Sequence, residues 1–190
     1  MQTAAARDPA VQVLDLRLTD LRQLFNSMDP APFRERDLDP TATDYIVDWA
    51  NETPPHAPLG LAIHLAHSAE GARTLAGEAV HEHFRRRAAA TRLQLRRLLR
   101  TGRISLVIGI AFLGVAIAVG EFLAGLIPHE SYAWLVKESL VIGGWVALWR
   151  PLEIFLYDWW PLRAEARLYD RLAVMPVALL GADDTAGGAA

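Results

Sequence analysis

The sequence predicts a membrane protein, mainly α: a two-helix transmembrane hairpin preceded by a small cytosolic α+β domain, a β-α-β unit plus a long helix. Three observations carry this. Residues 104–127 (ISLVIGIAFLGVAIAVGEFLAGLI) contain one ionisable side chain, Glu121, and a helix of about 20 apolar residues is long enough to span a bilayer. Residues 132–156 form a second apolar segment, interrupted by Lys137, Glu138, Arg150 and Glu153, and only Pro128-His129-Glu130-Ser131 separates the two. A chain that has crossed once and meets so short a turn has to return. Thirdly, Arg85 to Arg103 holds eight arginines, no acid lies between Glu82 and Glu121, and Arg163, Arg167 and Arg171 follow the second segment, whereas the turn has neither Lys nor Arg. Positive charge flanking a span stays cytoplasmic. Both termini are therefore placed inside, on the cytoplasmic side.

Ahead of the hairpin, Val11–Thr19 alternates, with Leu14, Leu16 and Leu18 on one side and Asp15, Arg17 and Thr19 on the other. A period of two predicts a half-buried strand. Asp29-Pro30-Ala31-Pro32 breaks the chain, and Asp39-Pro40 supplies an N-cap and first helical position. The helix so started is expected to reach Glu52 and to bury Tyr45, Ile46, Trp49 and Ala50. Pro54-Pro55 stops it, and Leu59–Ala66 alternates again as a second strand. Two strands alone make a poor sheet, so they have to pack on helices of the chain or pair with another copy.

The reading sets the domain at residues 1–68 and an arginine-rich helical stalk at 69–103. Along the stalk Val80, Phe84, Ala88, Thr91, Leu95, Leu98 and Gly102 form one narrow seam. That seam suits packing on this chain's own small domain or on the C-terminal helix; a coiled coil in a homo-oligomer is the alternative. Residues 157–180 are expected to form an amphipathic helix lying in the headgroup plane, and 181–190 a disordered tail, as residues 1–10 are expected to fray.

A net charge of −3 hides an asymmetry: residues 1–80 hold 12 acids against 6 arginines, and 81–120 hold 8 arginines against Glu82 alone. An acidic domain on a basic stalk suits an anionic lipid surface better than nucleic acid, since the arginines abut a span and lack interleaved aromatics. With no cysteine, disulfides, thiolate catalysis and thiolate metal sites are excluded. No h-region of a cleavable signal peptide is visible, so the first span is read as its own insertion signal.

Few residues invite chemistry. Glu121 and Lys137 lie about equally far from the turn, so an antiparallel hairpin brings them to one depth. There a lone charge costs at least ~2.5–3.5 kcal/mol, and an intramembrane ion pair is the expected remedy. Ala116, Gly120 and Ala124 are spaced for close helix packing. Arg96, Arg100, Arg103, Arg163, Arg167 and Arg171 are assigned to lipid headgroups. Trp145, Trp149, Trp159 and Trp160 gather around Arg150-Pro151 and Pro161 as an interfacial belt, with a lipid or small-molecule site under the proline kink as the functional alternative. His64, His67, His81 and His83 have no metal-ligand spacing. No phosphate loop, nucleophile elbow or catalytic carboxylate pair is recognisable, and neither cofactor nor metal is expected.

The strings PFRERDLDPTATDYIVDWA (Pro32–Ala50) and WRPLEIFLYDWWP (Trp149–Pro161) resemble those of a family of uncharacterised bacterial inner-membrane proteins with two spans. The resemblance implies the hairpin and brings no activity. The function expected is therefore non-catalytic: a membrane-anchored interaction and assembly module, homo-oligomeric, holding an unknown cytosolic protein partner. The alternative is a component of an oligomeric channel or transporter that uses Glu121 and Lys137.

Overall fold

The computed structural model describes residues 11–26, 29, 37–65, 72–126 and 130–181. Residues 1–10, expected to fray, Arg34-Glu35-Arg36 of the charged run, His67, residues 127–129 and residues 182–190 lie outside them. The chain is mainly helical and forms two compact units, one drawn from Met1–Ala89 and Glu165–Ala190, the other from Ala90–Ala164.

The first unit is built on strands β1 (Gln12–Leu18) and β2 (Leu59–Leu65), with helix α1 (Pro40–Glu52) between them. The chain then forms one uninterrupted helix, α2 (Ala72–Leu126), followed by α3 (Glu130–Glu153), a π-helical turn (Ile154–Asp158), α4 (Trp159–Leu172) and strand β3 (Val177–Gly181). The sheet is parallel, in the order β1-β2-β3. Leu14 faces Leu61 on one side of β2, and Ile63 faces Leu179 on the other. Parallel neighbours need crossover connections, and successive right-handed crossovers in this strand order lay their helices on one face of the sheet. The core agrees. Leu14, Leu59, Leu61, Ile63 and Leu65 pack with Ile46 and Ala50 of α1, Ala76, Val80, Phe84 and Ala88 of α2, and Leu168, Tyr169 and Leu172 of α4.

Four expectations are corrected here. The sheet has three strands, not two, and the third comes from this chain's own C-terminus. Residues 157–180 are not one interfacial helix: α4 ends at Leu172, and Pro176, which has no N–H, leads into β3 with its carbonyl accepting from the Leu61 N–H at 2.9 Å. The buried face of α4 is domain core rather than a membrane-surface stripe. Tyr45, expected to be buried, is 54% exposed. The domain also extends beyond residue 68, because the seam residues Val80, Phe84 and Ala88 belong to its core.

The other face of the sheet presents Val13, Asp15, Arg17 and Ala178 to solvent, and none of its residues belongs to that core. Parallel sheets are ordinarily covered on both faces. Among the described residues, only Asp15 and His64 interact across this face, at 2.9 Å.

The second unit is an antiparallel pair of helices, and both are long and apolar enough to cross a membrane. Their facing positions step in opposite directions along the chain, and glycines sit where the backbones come closest. A Cβ on Gly144 would meet Leu113 Cδ1 at 2.5 Å and its Cα at 3.2 Å; one on Gly109 would meet Leu148 at 2.8 Å and the Ala147 carbonyl oxygen at 3.1 Å. Gly102 is closed in by Ile154, and Gly120 lies over Lys137. Leu148 and Ile154 are buried in the contact, and most other bulky side chains point away from it: Val107, Phe122 and Trp145 are 60–69% exposed.

Candidate functional site

Within the hairpin unit two groups of charged residues pair. The structure brings Glu121 and Lys137 together, with Lys137 Nζ 2.5 Å from Glu121 Oε1. The contact follows from the packing, because Gly120 sits against the Lys137 backbone and Glu121 is its neighbour. Of the small-residue series, Ala116 is buried, Gly120 touches α3, and Ala124 is half-buried. Gly102, Gly109 and Gly144 make the closest approaches. Gly144, one of two adjacent glycines, was the hard one to single out from sequence, since Gly143 has open space around it.

The second group lies at the other end of α3. Pro151 has no N–H to give the Ala147 carbonyl one turn earlier. Gly109 approaches that same carbonyl, so the absent side chain and the absent hydrogen bond coincide. Beyond Pro151 the helix relaxes into the π-helical turn, a form that is rare and concentrated at functional sites. The indole N–H of Trp159 donates to the Phe155 carbonyl at 2.8 Å, satisfying an acceptor inside that turn. The slower winding of a π turn carries Asp158 back over Arg150. The guanidinium Nη1 donates to Glu153 Oε2 at 2.9 Å and lies 3.4 Å from Asp158 Oδ2. A pairing eight residues apart is invisible to helix-period reasoning, which finds only Arg150 and Glu153. Beside this triad opens a cleft of about 350 Å³ lined by Ser105, Ile108, Gly109, Phe112, Ala147, Arg150 and Pro151.

The six arginines assigned to headgroups divide. Arg96, Arg100, Arg103, Arg163 and Arg167 are exposed, and Arg163 stacks over the Trp159 ring at 5.6 Å. Arg171 has a different role. Its guanidinium donates to the carbonyls of Pro54 and Ala57, at 3.2 and 2.8 Å, and ties α4 to the loop after α1.

In the first unit, His83 is a buried polar group that the sequence did not single out. Its Nδ1 is 3.4 Å from both the Leu38 N–H and Asp37 Oδ1, and its Nε2 is 3.5 Å from the Thr43 hydroxyl. The two Nδ1 contacts want opposite states: Leu38 donates to a lone pair, whereas Asp37 needs a proton there. Burial first, then the nearby Arg87 charge, pushes the imidazole below its usual 6.5 against the pull of Asp37. Neutral His83 therefore accepts from Leu38 at pH 7. Asp37 pairs with Arg86 at 3.1 Å, and Asp39 caps α1 through the Thr41 and Ala42 N–H groups. His81 donates to the Met175 carbonyl at 2.7 Å. Among the described residues no cluster of three or more potential metal ligands occurs.

Compared with known proteins, the chain matches no family model, no curated protein and no solved structure.

Proposed function

We propose that this chain is a membrane-anchored, non-catalytic interaction and assembly module of the bacterial inner membrane, with both termini cytoplasmic. One observation carries the reading: glycines and Ala116 bring the hairpin's helices close, with Leu148 and Ile154 packed between them, and most of its large apolar side chains face outward. Contiguous exposed apolar surface on this scale marks contact with membrane or partner, and close packing through small residues is how helices associate in lipid. The Arg-rich start of the first span supports the cytoplasmic orientation and attraction to anionic lipids. The surface offered to a cytosolic protein is the open face of the sheet, with Val13, Asp15, Arg17 and Ala178. Assembly into homo-oligomers uses the outward faces of the hairpin.

Pairing of Glu121 with Lys137 favours the anchor over the conduit, because each charge is neutralised by the other rather than held along a path. The chain has no cysteine, so single cysteines report cleanly. Ser131→Cys should react with an impermeant maleimide added outside spheroplasts, and Thr185→Cys only after lysis. Resistance to carbonate extraction should accompany this pattern; release by carbonate, or labelling of both sites from outside, overturns it. Native mass spectrometry reads the oligomer. Ion flux in liposomes that Glu121→Gln removes would instead establish the channel.

A further inference from the structure

The triad and its cleft hold more than an anchor requires. Arg150, Glu153 and Asp158 are grouped within hydrogen-bonding reach, and their side chains are 63%, 42% and 31% exposed. One cation facing two carboxylates leaves the set with one formal negative charge, a poor match for an anionic headgroup. It is a good match for a headgroup carrying both signs. The guanidinium presents five N–H donors in a planar fork, and the contacts to both carboxylates run through Nη1. The remaining nitrogens suit a phosphate, and two adjacent carboxylates suit an ammonium that has N–H groups to donate. Besides Arg150, the lining of the cleft is largely apolar, with Ile108, Gly109 and Phe112, and Ser105 is its other polar residue. Trp149 and Trp160, both largely exposed, belong to the same aromatic girdle, where headgroups meet hydrocarbon.

We propose that this cleft is a binding site for one phospholipid with a primary-ammonium headgroup of the phosphoethanolamine type, its phosphate on Arg150, its ammonium between Glu153 and Asp158, and an acyl chain along Ile108 and Phe112. The proposal rests on the membrane-anchored reading. The lipid's two charges complement the triad's three, and a headgroup with a quaternary ammonium, lacking N–H donors, forfeits the carboxylate contacts. The π-helical turn is what places the second carboxylate, so the site depends on a backbone irregularity rather than on the sequence spacing alone.

The full chain is incorporated into nanodiscs of equimolar phosphatidylethanolamine, phosphatidylcholine and phosphatidylglycerol, released gently, and weighed by native mass spectrometry with lipid retained. One ethanolamine lipid per chain is expected, enriched over each of the others by roughly tenfold, the ratio that one added charge-assisted hydrogen bond supplies. E153Q/D158N should retain lipid but lose the choice between ethanolamine and choline. Ile108→Trp, which fills the apolar part, should lose retention with the triad intact. A wild-type lipid profile equal to the bulk mixture, or a preference for the glycerol headgroup, overturns the site while leaving the anchor standing. A chain that does not enter the nanodiscs at all overturns both. The wild-type profile decides the matter even where a variant fails to fold.

Discussion

The two units of this molecule expose opposite kinds of side chain. In the first, Phe84, Leu24, Ile46 and Ile63 are wholly inside, while acids and arginines face out. In the second, Gly109, Ala116 and Gly144 are inside with Leu148 and Ile154 packed onto the glycines, while Val107, Phe122 and Trp145 face out. Each unit applies the same rule of close packing, but the driving forces differ. In water the gain comes from removing large apolar surface. Where the surroundings are themselves apolar, burying a leucine gains little, and the backbone's close approach becomes the contact.

Substitutions sharpen the contrast, beginning with the largest expected effect. Phe84→Ala should destabilise the first unit by about 3–5 kcal/mol through a cavity, read by chemical denaturation in mild detergent. An equal loss from Phe122→Ala, whose ring is 69% exposed, would abolish the distinction between the units. Next, Glu121→Gln leaves Lys137 without its partner, and cross-linking of introduced cysteines should report a loosened hairpin. Glu121→Gln with Lys137→Met should restore it; no rescue would mean that the pair does not hold the helices. Gly144→Leu should cost roughly 1–3 kcal/mol by overpacking, because Leu113's backbone stands in the way, whereas Gly143→Leu should be silent. Equal effects at the two neighbours would refute the packing face.

The smallest effect is that of pH on the first unit. Burial holds the folded pKa of His83 below 6.5, so as the pH falls the unfolded chain takes up its proton first. The stability from neutral His83 is complete above about pH 6.5 and is lost as the pH falls through the folded value. Melting temperatures of wild type and His83→Asn between pH 5 and 8 should therefore diverge on the acid side only by the loss of this dependence in the variant. A parallel slope in both would assign the acid sensitivity to other groups.

Much of the architecture was legible because its causes are local. The Asp39-Pro40 start, the alternation of β1 and β2, and the absence of a stop between residues 72 and 126 are each written in adjacent residues. Glu121 opposite Lys137 needed only counting from the turn. β3 was hidden because Val177-Ala178-Leu179-Leu180 has no alternation and follows a helix with a matching apolar face. A strand paired to the middle of a sheet across more than a hundred intervening residues leaves no local period to read. The second partner of Arg150 was hidden by the π turn, which changes the very spacing from which helix neighbours are counted. Pro151 and Pro161, flanking that stretch, were the available sign that regular winding would fail. His83 was hidden in another way, since its role depends on Leu38 and Thr43, which reach it only through the tertiary fold.

β3 also sets an order of events during synthesis. The sheet's last strand, and the α4 residues Leu168, Tyr169 and Leu172 that close its core, are made only after both long helices have been synthesised. Until then β2 has a bare edge, and the core is open where α4 belongs. The nascent domain is thus an unfinished object for as long as the hairpin is being placed. A chain stalled or cut within the hairpin would carry an exposed parallel edge, the kind of surface that chaperones and proteases recognise. Completion of the small domain is a receipt for the hairpin's synthesis, issued by the chain itself.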